Sequence, residues 1–177
     1  MVGEQRFVQA LIKAAGGELV GRVRLQKIAY LLQQLGVEEA ARLDWSYHHY
    51  GPYSRQVDNG LVFAELFGVI EEERRPRASD GALYSIFHLR EEAEAEPSAQ
   101  MKQLVQRLKG ENSIVLELAA TAHWLSEVEK VDDWKQEIRR RKTWKVEDGR
   151  LEQALALLEE LGLPPAVKGA GQDAVAH

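Results

Sequence analysis

Residues 69–89 narrow the choice of fold more than any other stretch, because they are strand-like sequence set among helices. Val69-Ile70-Glu71-Glu72-Glu73-Arg74-Arg75 and Ala82-Leu83-Tyr84-Ser85-Ile86-Phe87-His88-Leu89 flank Pro76-Arg77-Ala78-Ser79-Asp80-Gly81. A proline and an Asp-Gly pair between two such arms predict a β-hairpin. Side chains alternate along a strand, so Leu83, Ser85, Phe87 and Leu89 fall on one side and Tyr84, Ile86 and His88 on the other.

The sequence ahead of the hairpin has helical period. Phe7, Val8, Leu11, Ile12 and Ala15 predict a helix over 4–15, and Leu25, Ile28, Leu31, Leu32 and Leu35 a second over 23–35. Residues 44–50, aromatic and without helical period, predict an extended segment stopped by Gly51-Pro52-Tyr53-Ser54, with Ser54 capping the next helix. That third helix, 55–67, contains Gly60, which weakens a helix by roughly 1 kcal/mol relative to alanine and implies close backbone packing. Helix, helix, strand, helix, hairpin is the order of a winged helix-turn-helix. The acidic residues from Glu91 to Pro97 predict a solvated link. Helical patterns follow over 98–109, 113–129, 132–141 and 148–161. The expected fold is mainly α: a winged-helix-like N-terminal half (4–90) with a β-hairpin wing, packed on a helical C-terminal half (98–162). Pro164-Pro165 ends the pattern, and 165–177 is expected to be a disordered tail.

Composition excludes several classes of function. With 177 residues, 45% of them hydrophobic and 29% charged, the chain can fill a core. It has no cysteine, which removes disulfides, thiolate nucleophiles and thiolate metal sites. No apolar run is long enough to span a membrane and the start does not read as a secretory signal, so the cytoplasm is the expected location. A formal charge of −5 gives no overall attraction to nucleic acid, although a local basic patch can still bind it.

Two short runs carry a resemblance. Leu25-Gln26-Lys27-Ile28-Ala29-Tyr30-Leu31-Leu32 and Tyr47-His48-His49-Tyr50-Gly51-Pro52-Tyr53-Ser54 resemble the YwgA-like proteins and the wider SocA-like, or Panacea, antitoxin domain. Residues 118–125 and Arg141-Lys142-Thr143-Trp144-Lys145 are similar to that group's C-terminal half, and the resemblance covers about residues 5 to 162. It implies a compact helical domain that contacts other proteins, neutralising a toxin or delivering it for degradation, with no catalytic residue. Tyrosine and serine after Gly51-Pro52 point to the YwgA-like branch.

Candidate contact residues lie on the third helix and the wing. Arg55, Gln56 and Asn59 occupy the first turns of the helix, where they can bond base edges, phosphates or a partner protein. Arg74, Arg75 and Arg77 sit near the wing tip, although Glu71-Glu72-Glu73 can pair with them. The run Arg139-Arg140-Arg141-Lys142 with Trp144 and Lys145 suits nucleic acid, but acids earlier on the same helix favour a structural duty. Gln26 reads as a buried anchor for the Gly51-Pro52 loop, Lys27 as a snorkelling cation, and Tyr47, Tyr50 and Tyr53 as packing residues. His48 and His49 point to opposite faces of a strand, and no HExxH, GxSxG or phosphate-binding glycine loop occurs. Neither a metal nor another cofactor is expected.

These residues predict a non-catalytic interaction module that docks a partner protein, a toxin among the candidates, through helix 55–67 and hairpin 69–89. The alternative is a winged-helix DNA-binding transcriptional regulator, able to work as a homodimer on paired sites. No enzyme activity and no membrane contact are expected.

Overall fold

The computed structural model describes residues 3–90 and 94–166. Helix α1 (Gly3–Ala14) leads through a short strand β1 (Glu18–Val20) into α2 (Arg22–Gln34). Strands β2 (Ser46–His48) and β3 (Gly51–Tyr53) form a tight two-stranded corner, followed by α3 (Arg55–Leu66). Strands β4 (Ile70–Pro76) and β5 (Leu83–Leu89) make the wing, and α4 (Ala99–Leu108), α5 (Ser113–His123), α6 (Trp134–Lys142) and α7 (Arg150–Leu161) complete the chain. The fold is mainly α with a small β wing, as the sequence predicts.

The wing has a third strand that the sequence pattern hides. Strand β1 is only three residues long, yet it pairs antiparallel with β5, bringing Leu19 opposite Phe87 and giving a sheet of order β1-β5-β4. Gly51-Pro52-Tyr53 also differs from expectation: it is the return strand of the corner rather than a stop. Ser54 does not cap α3 through its side chain. Its backbone N–H and carbonyl are instead both taken by the Gln26 amide, each at 2.9 Å. Gln26 is therefore the anchor its position suggests.

Helices α4, α5 and α6 start on side-chain caps, whereas α7 starts on Gly149 without one. Ser98 accepts from Met101 N–H, Asn112 from Ile114 and Val115, and Asp133 from Gln136. Each satisfies amides that a helix start leaves open. Helix α5 ends at His123, and Trp124–Val128 continues as a π turn. The core is one connected cluster that joins α1, α2 and α3 to α4, α5 and α7. Gly60 shows why α1 and α3 pack so closely: a Cβ there would sit 2.5 Å from the Glu4 carbonyl oxygen and 2.8 Å from Val8 Cγ2. Of the expected link, Glu94 is exposed but Ala95 and Pro97 are buried, and residues 91–93 lie outside the described residues. The tail beyond Ala166 also lies outside them. No described helix is long and apolar enough to cross a membrane.

Candidate functional site

The residues that carry the family resemblance meet at one place. Helix α2 presents Gln26, Lys27 and Tyr30 to the β2–β3 corner and to α5, and the end of α6 closes over the same corner. Lys27 does not snorkel; it is 1% exposed, and its ammonium donates to the Pro52 carbonyl at 2.5 Å. One turn on, the Tyr30 hydroxyl shares a 2.7 Å hydrogen bond with His123 Nδ1. The Tyr30 ring stands edge-on to Trp45, with centroids 5.1 Å apart.

Glu117, buried on α5, balances the cations of this corner. Its Oε1 accepts from Lys142 at 2.8 Å, and both of its oxygens accept from Lys145 at 2.9 Å. Lys142 also donates to the His49 carbonyl at 3.0 Å, which ties α6 to the turn between β2 and β3. A carboxylate can stay buried here only because two ammonium groups satisfy it. Lys27 feels the same group at longer range. Burial pushes its amine down to about 7, opposed by Glu117 and assisted by Lys142 and Lys145. Burial likewise lowers Lys142 and His123 and raises the Tyr30 hydroxyl. Burial thus favours the neutral form of His123, the form that shares the hydrogen bond with Tyr30.

The outer side of the corner is aromatic and cationic. Tyr47, His48 and His49 line a shallow pocket of about 360 Å³. The Arg141 guanidinium lies 4.7 Å from the Tyr47 ring centroid, and His48 stacks on Tyr53 with centroids 4.3 Å apart. Among the described residues, no group of three or more histidines and acids is placed to hold a metal ion.

The structure puts the candidates of α3 and the wing elsewhere, in two groups, while the basic run ends at the corner. Arg55 and Asn59 are exposed on α3, whereas Gln56 is a structural tie, accepting from Asp44 N–H at 2.6 Å and donating to the Arg42 carbonyl. On the wing Arg74 faces Glu72 at 3.5 Å, Arg75 faces Glu73 at 2.5 Å and Arg77 faces Asp80 at 3.2 Å. In the basic run Arg140 pairs with Glu137, and Arg141 with Glu129 and Glu137. Sequence reasoning passed over Glu117 and Tyr30. The signal for Glu117 was a single acid inside the apolar stretch Val115–Ala122.

No family model matches the chain. The chain is similar to a DNA ADP-ribosyl glycohydrolase. That relative, from Thermus aquaticus, is 30% identical over 150 residues, which make up 76% of this chain and 40% of the relative. The chain thus spans about 40% of the length of the relative it matches. This finding corrects the expectation of a non-catalytic, antitoxin-like module without enzyme activity. The relative is named as an enzyme, and its name contains DNA rather than a protein or toxin partner. The DNA contact in the alternative reading is compatible with the relative's name. Glycoside hydrolysis typically uses paired carboxylates, and pairs such as Glu71/Glu73 or Glu159/Glu160 are too common on exposed surfaces to single out one for that chemistry.

Proposed function

We propose that this chain functions in the removal of ADP-ribose from DNA, in the cytoplasm, and that the corner of β2, β3, α5 and α6 is the face it turns to the modified strand. The observation that carries the reading is the likeness over 150 residues to the Thermus aquaticus enzyme. The chemistry of the corner supports it. An ADP-ribosyl group on DNA is a pyrophosphate joined to a polyanion, and a ligand of that charge needs fixed cations and flat rings. Two ammonium groups, Lys142 and Lys145, share the single carboxylate of Glu117, which leaves this part of the corner with excess positive charge. Tyr47, His48 and His49 supply rings and polar atoms beside it. The YwgA-like resemblance is part of the same proposal, because its motif residues are the ones that build this corner.

The test uses two oligonucleotides of one sequence, with and without an ADP-ribosylated base. The chain is expected to bind the modified strand more tightly and to release free ADP-ribose from it. Equal affinity for the two strands together with no release overturns the reading.

A further inference from the structure

The turn after α6 is held in a conformation that its sequence resists. Thr143 has φ 49° and ψ −120°, outside the regions open to a β-branched residue unless its surroundings impose it. The surroundings do so here. Lys142 and Lys145, on either side, both reach Glu117, and Arg150 donates to the carbonyls of Trp144 at 2.8 Å and Lys145 at 2.7 Å. What this frame holds out to solvent is Trp144, 57% exposed. Its indole has the Arg150 guanidinium 5.7 Å from the ring centroid. Next to it, Lys145 places its ammonium 4.8 Å from the ring of Tyr50, which is 55% exposed. Two large rings therefore stand in solvent, each backed by a cation and each carried on anchored backbone.

We propose that Trp144 and Tyr50 form a stacking platform for unpaired bases of single-stranded DNA, with Lys145 beside the adjoining phosphate and Arg150 holding the turn that carries Trp144. Every base has a flat face, so such a platform binds without regard to sequence. The cations strengthen it electrostatically and make it weaken with salt. Glu147 and Asp148 follow on the same turn, and Asp148 pairs with Arg150 at 3.2 Å, which keeps the local field modest and leaves stacking as the main attraction. The proposal rests on the reading of this corner as the DNA-facing side.

The experiment measures anisotropy of a short fluorescein-labelled oligothymidylate, unmodified, against the full chain at low salt. Trp144→Ala and Tyr50→Ala are each expected to weaken binding about tenfold, the usual loss for removing one stacked ring. Trp144→Phe, which keeps a ring, retains most of the affinity, and the duplex of the same sequence binds more weakly than the single strand. Unaltered binding by Trp144→Ala overturns the platform, as does failure of the native chain to bind the oligothymidylate. So does equal loss in Trp144→Phe and Trp144→Ala. The two proposals fail separately. Ring-dependent binding without discrimination of ADP-ribosylated DNA leaves the platform standing alone, whereas release of ADP-ribose by Trp144→Ala at the native rate and affinity removes only the platform.

Discussion

Lys27 is a cation placed where water does not reach, and its titration should be visible in stability. Burial lowers the amine from its ordinary range to about 7 in the folded chain, while in the unfolded chain it stays near 10.5. Between those values the unfolded state binds more protons, so stability rises with pH across that window. Below about pH 7 both states carry the charge and the full cost of burying it is present. Lys27→Met is expected to reduce the slope of unfolding free energy against pH between about 7 and 10.5, by up to about 1.4 kcal/mol per pH unit. Urea unfolding at several pH values in that range measures it, and a slope equal to the native one would show ordinary basicity inside the fold. Some slope persists in the variant, because Lys142 is lowered by burial as well. His123 works in the acid range in the same sense: its lowered value means stability falls as pH drops below about 6.5, where the unfolded imidazole takes a proton first.

Helices α1 and α3 depend on the absence of a single methyl group. A Cβ at Gly60 would meet the Glu4 carbonyl oxygen at 2.5 Å, and backbone cannot yield as a side chain tip can. Gly60→Ala, which in an exposed helix would add roughly 1 kcal/mol of stability, is therefore expected to destabilise the protein by about 1–3 kcal/mol. Thermal or urea unfolding decides the sign. This close approach was legible in the sequence, because a glycine inside an amphipathic helix has to be there for packing or turning. The helices and the wing were legible for a similar reason: 3.6- and 2-residue periods survive wherever one face is buried. Strand β1 was not, since three residues cannot display a period and its pairing with β5 is set by tertiary contact. The site was legible only in parts. Gln26 stood out as polar within an apolar helix, and its partner Ser54 lay in the quoted loop. Lys27 was read as snorkelling because only the fold shows that the Pro52 carbonyl and Glu117 surround it. Thr143 gave no signal, as its strain comes from contacts that its own residue type does not announce, at Glu117 far back along the chain and at Arg150 a short way ahead.

Across the whole molecule, charge is distributed so that the wing and the corner behave differently toward a polyanion. Arg74, Arg75 and Arg77 each face a carboxylate of the wing itself, and Glu72 further binds Arg22 and Ser85. Arginines already paired release few counterions from DNA. Replacing all three with alanine is expected to leave the salt dependence of single-strand binding unchanged. Lys145 shares the one Glu117 carboxylate with Lys142, so one positive charge of that trio is uncompensated, and Lys145→Ala should flatten the slope of log affinity against log salt by up to about 0.7, the share of one phosphate contact on a single strand. A salt titration of both variants checks this, and a flattened slope in the wing variant would move the interface to the hairpin.

The clasp of Gln26 on Ser54 has a consequence for how quickly any ligand can be captured. Because one amide occupies both backbone groups at the entrance to α3, tilting that helix would break two bonds at once and strip polar groups already shut away from solvent. The joint between the second and third helices is riveted. A visitor to this side of the protein meets a finished shape, and its rate of arrival is governed by diffusion and orientation, with no waiting for a hinge to open.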